Sequence, residues 1–393
     1  MLLPGGQALT YCLNIHPTQS WAEARAALTG PVAAVKKAVC PNAPFVVGLR
    51  FSAETMGELA DPDARAELAQ VIRENDYLPL TMNGFPYGPF HGTRVKEDVY
   101  LPDWRSEERV AYTRELAELM AELNPESSLI SLSTVPGAFR PNGKGSEADM
   151  ARNYLKAVAH LIELEARTGR CVALAIEPEP CCFLETIEET ITYFQNHLFS
   201  DGASFRLADM TGLSADDAAE ALPRHLGLCY DVCHAAVEFE NPADSIEALR
   251  DAGIPVHKLQ LSSAVRVVAG SPEMRDVLAR YDEPTYLHQL IEQGPDGLSR
   301  FADLGEALGG GATDGREWRV HFHVPVFLEK LPDFETTQAF LSEIIALHRA
   351  EPISTHLEIE TYTWDVLPQG LRSGAVEDAV VRELNWVIGE LGR

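Results

Sequence analysis

Positive charge is scarce in this chain. It has 32 Lys plus Arg against 59 Asp plus Glu among 393 residues, a formal net charge of −27. A nucleic-acid binder needs a basic footprint, and an acidic surface repels phosphate backbones and anionic membranes. The balance therefore argues against nucleic acid as a partner. Long apolar runs are also missing. No segment approaches the roughly 18 continuous apolar residues of a membrane span, and Met1 to Gln7 has neither a basic stretch nor a long apolar one. There is no G-x-G-x-x-G fingerprint after a strand-like run, no low-complexity tract and no short-period repeat. Cysteine is present but unpaired in pattern: Cys12, Cys40, Cys171, Cys181, Cys182, Cys229 and Cys233 make an odd number. Several of them sit in apolar runs. That fits reduced thiols better than a disulfide framework, and Cys229, Cys233 and His234 have no second cysteine pair to complete a zinc framework. The expectation is a soluble cytoplasmic protein.

Hydrophobic residues, at 46%, suffice for a substantial core. Apolar strand-like segments fall at 8–15, 45–51, 78–83, 129–135, 171–177, 226–231, 256–262 and 354–360. Between most of them lie stretches with helical spacing. Ser106 to Leu123 repeats Val110, Leu116, Leu119 and Met120; Met150 to Ala166 repeats Leu155, Val158, Leu161 and Ile162. Ser245 to Ala252 and Thr336 to Leu347 follow suit. Eight strands with intervening helices point to a (β/α)8 TIM barrel. An open doubly wound sheet is the alternative, and eight similar units favour closure. The whole chain, 1–393, reads as a single barrel domain with an inserted rim segment at about 265–325. That insert is too long for a plain connection. Tyr286 to Ile291 and Leu298 to Leu304, around Gly294-Pro295-Asp296-Gly297, predict a hairpin. Gly309 to Gly311 predicts a flexible joint, and Trp318 to Val324 a ninth strand that extends the seventh or pairs with the hairpin.

Three strand-like segments each end in acid: Val172 to Glu177, Leu226 to Asp231, and His356 to Glu360. A buried carboxylate without a partner costs several kcal/mol or takes up a proton. Three that converge can share a divalent cation instead. In barrels the working groups sit at the C-terminal ends of strands and in the loops that follow. Alternation puts Glu177 and Glu179 on one face, opposite Leu174 and Ile176, and Glu358 and Glu360 on one face, opposite Leu357 and Ile359. His234, three residues after Asp231, is set to turn over the same pocket, as a metal ligand or to polarise a substrate oxygen.

This set of a strand-end Glu, an Asp-x-x-His and a second strand-end Glu resembles the xylose isomerase-like barrel superfamily. Longer blocks narrow the likeness: Leu9 to Pro17, Asn83 to Gly88, Phe90 to Lys96, Ser133 to Gly137 and Glu358 to Trp364 resemble the bacterial metabolite traffic protein EboE family. In the sugar-epimerase relatives a Glu, an Asp, a His and a Glu from the fifth to eighth strands bind one divalent cation, and the two glutamates move a proton to and from carbon. The resemblance implies Glu177, Asp231 and Glu360 as ligands of one divalent metal ion (Mn, Zn, Co or Mg). The seventh strand departs from the pattern. It offers Gln260 or Ser262 where the relatives have His, and His323 or His321 on the extra strand could supply the imidazole.

The expected activity is a metal-dependent isomerase or epimerase acting on a small sugar-like or polyhydroxy metabolite. A proton moves through a metal-bound enediolate, with Glu177 and Glu360 as base and acid and His234 orienting an oxygen. The loops add candidate substrate contacts: His16; Asn83, Tyr87, His91, Arg94 and Lys96; Arg140; Glu185, where relatives often keep a second acid; and His321. Basic groups among them would clamp a phosphate or carboxylate or offset rim acids. Two other functions compete. One is a non-catalytic metabolite-binding or trafficking protein, with other proteins of a metabolite-trafficking pathway as partners. The other is a phosphodiesterase of the endonuclease IV type, which the acidic balance argues against.

Overall fold

The computed structural model describes residues 1–92, 94–124, 129–268, 272–313, 315–367 and 374–393. In chain order its strands are β1 (Ala8–Tyr11), β2 (Phe45–Leu49), β3 (Tyr77–Asn83), β4 (Ile130–Thr134), β5 (Val172–Ile176), β6 (Leu226–Asp231), β7 (Val256–Leu261), β8 (Val265–Val267), β9 (Leu290–Gly294), β10 (Gly297–Phe301), β11 (Glu317–Val320), β12 (Glu335–Thr336) and β13 (His356–Ile359). Eight of them form one parallel sheet in the order β1-β13-β7-β6-β5-β4-β3-β2. A parallel bridge from Cys12 to Gly48 joins the two ends of that order. With helices between successive strands, this is a (β/α)8 barrel.

The helices begin where the sequence supplies caps. Ser20 accepts the Glu23 amide and Glu23 returns the bond in a capping box; Ser106, Thr186 and Ser214 each cap the helix that follows. Helix Glu147–Thr168 ends on Gly169 at φ 73°, a left-handed geometry suited to glycine. The outward strand faces and the inward helix faces make the main core. Leu132, Leu174, Ile176, Leu228, Leu259 and Leu357 meet Leu155, Val158 and Leu161 there.

The inward strand face is polar. Toward one end, Ser131 Oγ donates to Thr81 Oγ1 and lies 2.8 Å from His356 Nδ1. Above them Lys258 Nζ meets Glu358 Oε1 at 2.6 Å, both side chains fully buried. Burial opposes the charge on each. Glu358 nonetheless holds Lys258 above its ordinary range, whereas burial leaves Glu358 raised despite Lys258. Gly48 makes room for this pair: a Cβ there would overlap Glu358 Oε2.

The stretch between β7 and β13 builds a second sheet, order β10-β9-β11-β8-β12, antiparallel throughout. The hairpin β9–β10 turns at Pro295-Asp296, with Gly294 opposite Gly297. The extra strand is shorter than the sequence suggests. β11 stops at Val320, and residues 321–325 leave the sheet. It pairs with β9 and β8, not with β7. The three glycines at 309–311 close a helical turn, Ala307–Gly311. No helix among the described residues is long and apolar enough to cross a membrane.

Candidate functional site

Glu177 follows β5, Asp231 ends β6, and Glu360 follows β13. Their ligand atoms lie within 4.8 Å of one another, and all three residues are buried. Each carboxylate is held differently. Asp231 caps the short helix Val232–Val237: its Oδ1 accepts the His234 amide at 3.0 Å and the Ser262 hydroxyl at 2.6 Å. Its Oδ2 is buried with no hydrogen-bond partner. Glu360 Oε1 accepts Asn14 Nδ2 at 2.5 Å and Asn83 Nδ2 at 3.0 Å. Glu177 Oε2 has no hydrogen-bond partner. Burial, then the neighbouring Glu360 and Asp231, push its carboxyl well above the usual range. Gln260 faces the same layer from β7, opposite Asp231 in register. It is fully buried, and both its amide atoms lack partners.

Beside the carboxylates stand three imidazoles. His234 Nε2 is 3.1 Å from His321 Nε2, and His321 Nε2 is 3.2 Å from His323 Nε2. Each Nδ1 faces an acceptor: Pro178 O at 2.8 Å, Gln289 Oε1 at 2.7 Å and Glu360 O at 2.5 Å, respectively. Burial, then the charge His234 and His323 would carry, hold His321 well below the ordinary imidazole range. Glu179 completes the group. Its Oε1 accepts from Tyr100 at 2.6 Å and Gln289 at 3.2 Å, its Oε2 is unpartnered, and burial raises its pKa.

Unpartnered, buried carboxylate and amide atoms with imidazoles beside them suit a divalent cation, which satisfies ligand atoms that otherwise carry a desolvation cost. The residues fit the ion that the epimerase resemblance implies. The cavity over them has a volume of about 40 Å³, room for about three water-sized occupants in all on a scale where one water needs roughly 10–15 Å³. Its walls and roof are largely apolar: Phe85, Phe90, Val95, Tyr286 and Tyr362. Phe90, Tyr286 and Tyr362 come from separate segments and pack with ring centroids 5.1–5.3 Å apart.

The structure thus brings together Glu177, Asp231, Glu360, Gln260, His234, His321, His323 and Asn83. Lys96 reaches the cavity wall with its ammonium 2.6 Å from Asp303 Oδ2. The remaining candidates lie elsewhere, each for a visible reason. His16 is tied to the Tyr11 hydroxyl at 3.0 Å. The Tyr87 hydroxyl donates to Glu108 at 2.6 Å. His91 lies against Asn14 O and the Tyr286 hydroxyl, behind the roof. Arg94 is exposed. Arg140 pairs with Glu185 at 2.8 Å and Glu189 at 2.7 Å. Arg140 and Glu185 line a separate cavity of about 900 Å³. That cavity is the larger, but it holds none of the carboxylate–imidazole set, and the chemistry favours the small one. The basic residues therefore do not form an anion clamp around the acids.

Sequence reasoning gave no role to Asn14, Tyr100, Gln289, Glu179 or Lys258. Alternation along β7 puts Lys258 on the same face as Gln260, and alternation past β5 puts Glu179 with Glu177, so these two had a signal. Asn14 and Tyr100 sit in short 3-10 turns and Gln289 just before β9, where no period marks which way a side chain faces.

No protein-family model matches the chain, and comparison with curated proteins finds no match. Solved structures similar to it include the IolI protein with a bound zinc atom, at 12% identity over 98% of this chain and 97% of that one, with a TM-score of 0.45. Another is the probable 3-DHS dehydratase AsbF of Bacillus anthracis, at 12% identity over 97% and 98%, TM-score 0.43. A D-tagatose 3-epimerase-like protein is similar at 12% identity over 64% and 75%, TM-score 0.38.

Proposed function

We propose that this protein is a divalent-metal-dependent isomerase or epimerase of a small sugar-like or polyhydroxy metabolite. The observation that carries the reading is the buried convergence of Glu177, Asp231 and Glu360, with unpartnered oxygens on Glu177 and Asp231 and an unpartnered amide on Gln260. The three carboxylates would hold the cation, with the Gln260 oxygen and His323 as further candidate ligands. When bound, the cation acts as a Lewis acid on adjacent carbonyl and hydroxyl oxygens.

The chain's own residues supply the rest. Glu177 and Glu360 project from β5 and β13, with β6 and β7 between them in the sheet. A substrate carbon between them meets a base on one side and an acid on the other. Asn14 and Asn83 fix Glu360 through one oxygen and leave the other for the substrate side. His234, anchored through Nδ1, presents Nε2 to a substrate oxygen. Phe90, Tyr286 and Tyr362 exclude water above the reacting carbon. In so small a cavity a sugar-sized molecule enters only when that roof moves.

We also propose kinship with the EboE family. Four of the five sequence blocks that carry the resemblance contribute to the cavity wall: Asn14; Asn83, Phe85 and Pro86; Phe90, Val95 and Lys96; Glu360 and Tyr362. A non-catalytic metabolite receptor is the second reading, favoured by an amide on β7 where the epimerase relatives carry an imidazole.

The test is substitution of Glu360. Glu360→Gln should abolish turnover of any epimerised substrate, by at least 10²-fold as expected for loss of an acid–base group, with the circular dichroism spectrum unchanged. A Glu360→Gln protein with full activity rules the assignment out. Wild type that binds metabolite without any cation favours the receptor.

A further inference from the structure

The carboxylate reading leaves the contact among His234, His321 and His323 unexplained. The Nδ1 atoms of His234 and His323 lie against backbone carbonyls, which have no hydrogen to give, so both rings must donate there. Gln289 donates its amide hydrogens to Tyr100, Glu179 and Pro180, so its Oε1 accepts from His321 Nδ1. In the neutral rings every Nε2 is therefore a lone pair. Yet these lone pairs face one another at 3.1 and 3.2 Å, a hydrogen-bond distance with no hydrogen between them. One shared proton would satisfy one of the two contacts and leave the other repulsive. A tetrahedral cation with bonds of 2.0–2.1 Å sets its nitrogens roughly 3.3 Å apart, close to both separations.

A second, independent observation lies beside the rings. Asp231 Oδ2 is buried, has no hydrogen-bond partner and is 3.8 Å from His234 Nε2. The ligand atoms of Asp231, His234 and His323 fall within 4.8 Å of one another. Asp231 thus belongs to two sets, one of carboxylates and one of imidazoles. The Nδ1 bonds to carbonyl oxygens are the outer contacts that orient metal-ligating histidines.

We propose that His234, His321 and His323 hold a second divalent cation, with Asp231 shared between it and the carboxylate position. Imidazole nitrogens select a borderline ion, Zn²⁺ or Co²⁺, over Mg²⁺. The inserted segment then has a chemical purpose: it delivers two of the three nitrogens, His321 and His323, and the helix after β6 delivers the third, His234. The proposal rests on the one-cation reading through the shared Asp231, and it replaces two roles given there. With this ion bound, His234 Nε2 and His323 Nε2 are its ligands, rather than a contact to a substrate oxygen and a further ligand of the first ion.

Elemental analysis of the full-length protein, loaded with Zn²⁺ and freed of excess by gel filtration, tests it. Wild type should hold two ions per chain. His321→Phe, which keeps a ring in place, should hold one, and so should the Glu177→Gln/Glu360→Gln double variant. Circular dichroism checks that each is folded, and His321→Asn replaces the first variant should it not be. The Co²⁺-loaded protein supplies a readout without zinc counting. The visible absorption of a tetrahedral nitrogen site should persist in the double variant and vanish in the His321 variant. One ion in wild type that His321→Phe retains overturns the second position and leaves the carboxylate reading standing. One ion in wild type that the double variant retains and His321→Phe loses overturns the paired arrangement and the carboxylate reading together. Two ions in both wild type and His321→Phe also sink the proposal.

Discussion

Lys258 and Glu358 lie fully buried beneath the cluster, and their pairing makes them interdependent. Removing one partner leaves an uncompensated charge in a place that cannot solvate it. Lys258→Met should therefore cost about 3–5 kcal/mol, whereas Lys258→Met/Glu358→Leu should recover most of that loss, because apolar replacement of a whole buried pair is often neutral or better. Urea unfolding of both variants decides it; a double variant no more stable than the single one contradicts the argument. Gly48→Ala probes the same spot sterically and should cost about 1–3 kcal/mol through overpacking. At this scale the sequence was informative where period two operates. Glu177, Asp231 and Glu360 were legible because each closes an apolar strand run. Arg140 and Glu185 were misleading, since a place in a loop at the barrel mouth says nothing about which neighbour a long side chain will reach. They reach each other.

The C-terminal helix Val376–Leu391 packs against β1 and the helix Pro31–Val39, and carries a buried acid, Glu383. Its Oε1 accepts from the Thr361 hydroxyl at 2.6 Å and the Val326 amide at 3.1 Å. Thr361 follows Glu360, so the helix braces the site from behind. Burial raises the Glu383 pKa to about 7, above the ordinary carboxylate value. The folded state then keeps a proton that the unfolded chain has already lost. This contribution to stability is intact below about pH 4.5, declines as pH rises to about 7 and is flat beyond, a loss of roughly 3 kcal/mol. Glu383→Gln should abolish that decline. The variant's stability relative to wild type should rise from pH 4.5 to 7, and parallel curves across that window would refute the assignment. Element-level legibility followed length. The long helices and the eight barrel strands were readable from their periods. β8 and β12, of three and two residues, are too short to show one, so of the sheet that carries His321 and His323 toward the barrel mouth only the hairpin and the Trp318 to Val324 run were legible.

For the whole molecule, the cation sites and the fold are one energetic problem. The barrel closes with Glu177, Asp231 and Gln260 buried and short of partners, which is unfavourable until something binds them. An ion that binds the folded state alone adds stability as RT ln(1 + [L]/Kd), about 2.7 kcal/mol at a hundredfold excess over Kd. Domains of 150–250 residues move about 2–4 °C per kcal/mol, and a chain of 393 residues moves less. Chelation should therefore lower the unfolding midpoint by roughly 5 °C, and Zn²⁺ or Co²⁺ should restore it. The surface acids are irrelevant to this shift if the site is the buried one. Exposed carboxylates bind Ca²⁺ and Mg²⁺ weakly and are screened by salt, so the shift should survive 0.5 M NaCl. A midpoint indifferent to chelator, or a shift that salt erases, would mean that the buried carboxylates are satisfied by protons and that the ions sit on the surface. The two outcomes separate cleanly, because a proton on Glu177 stabilises the fold more as pH falls, whereas a cation there stabilises it more as pH rises.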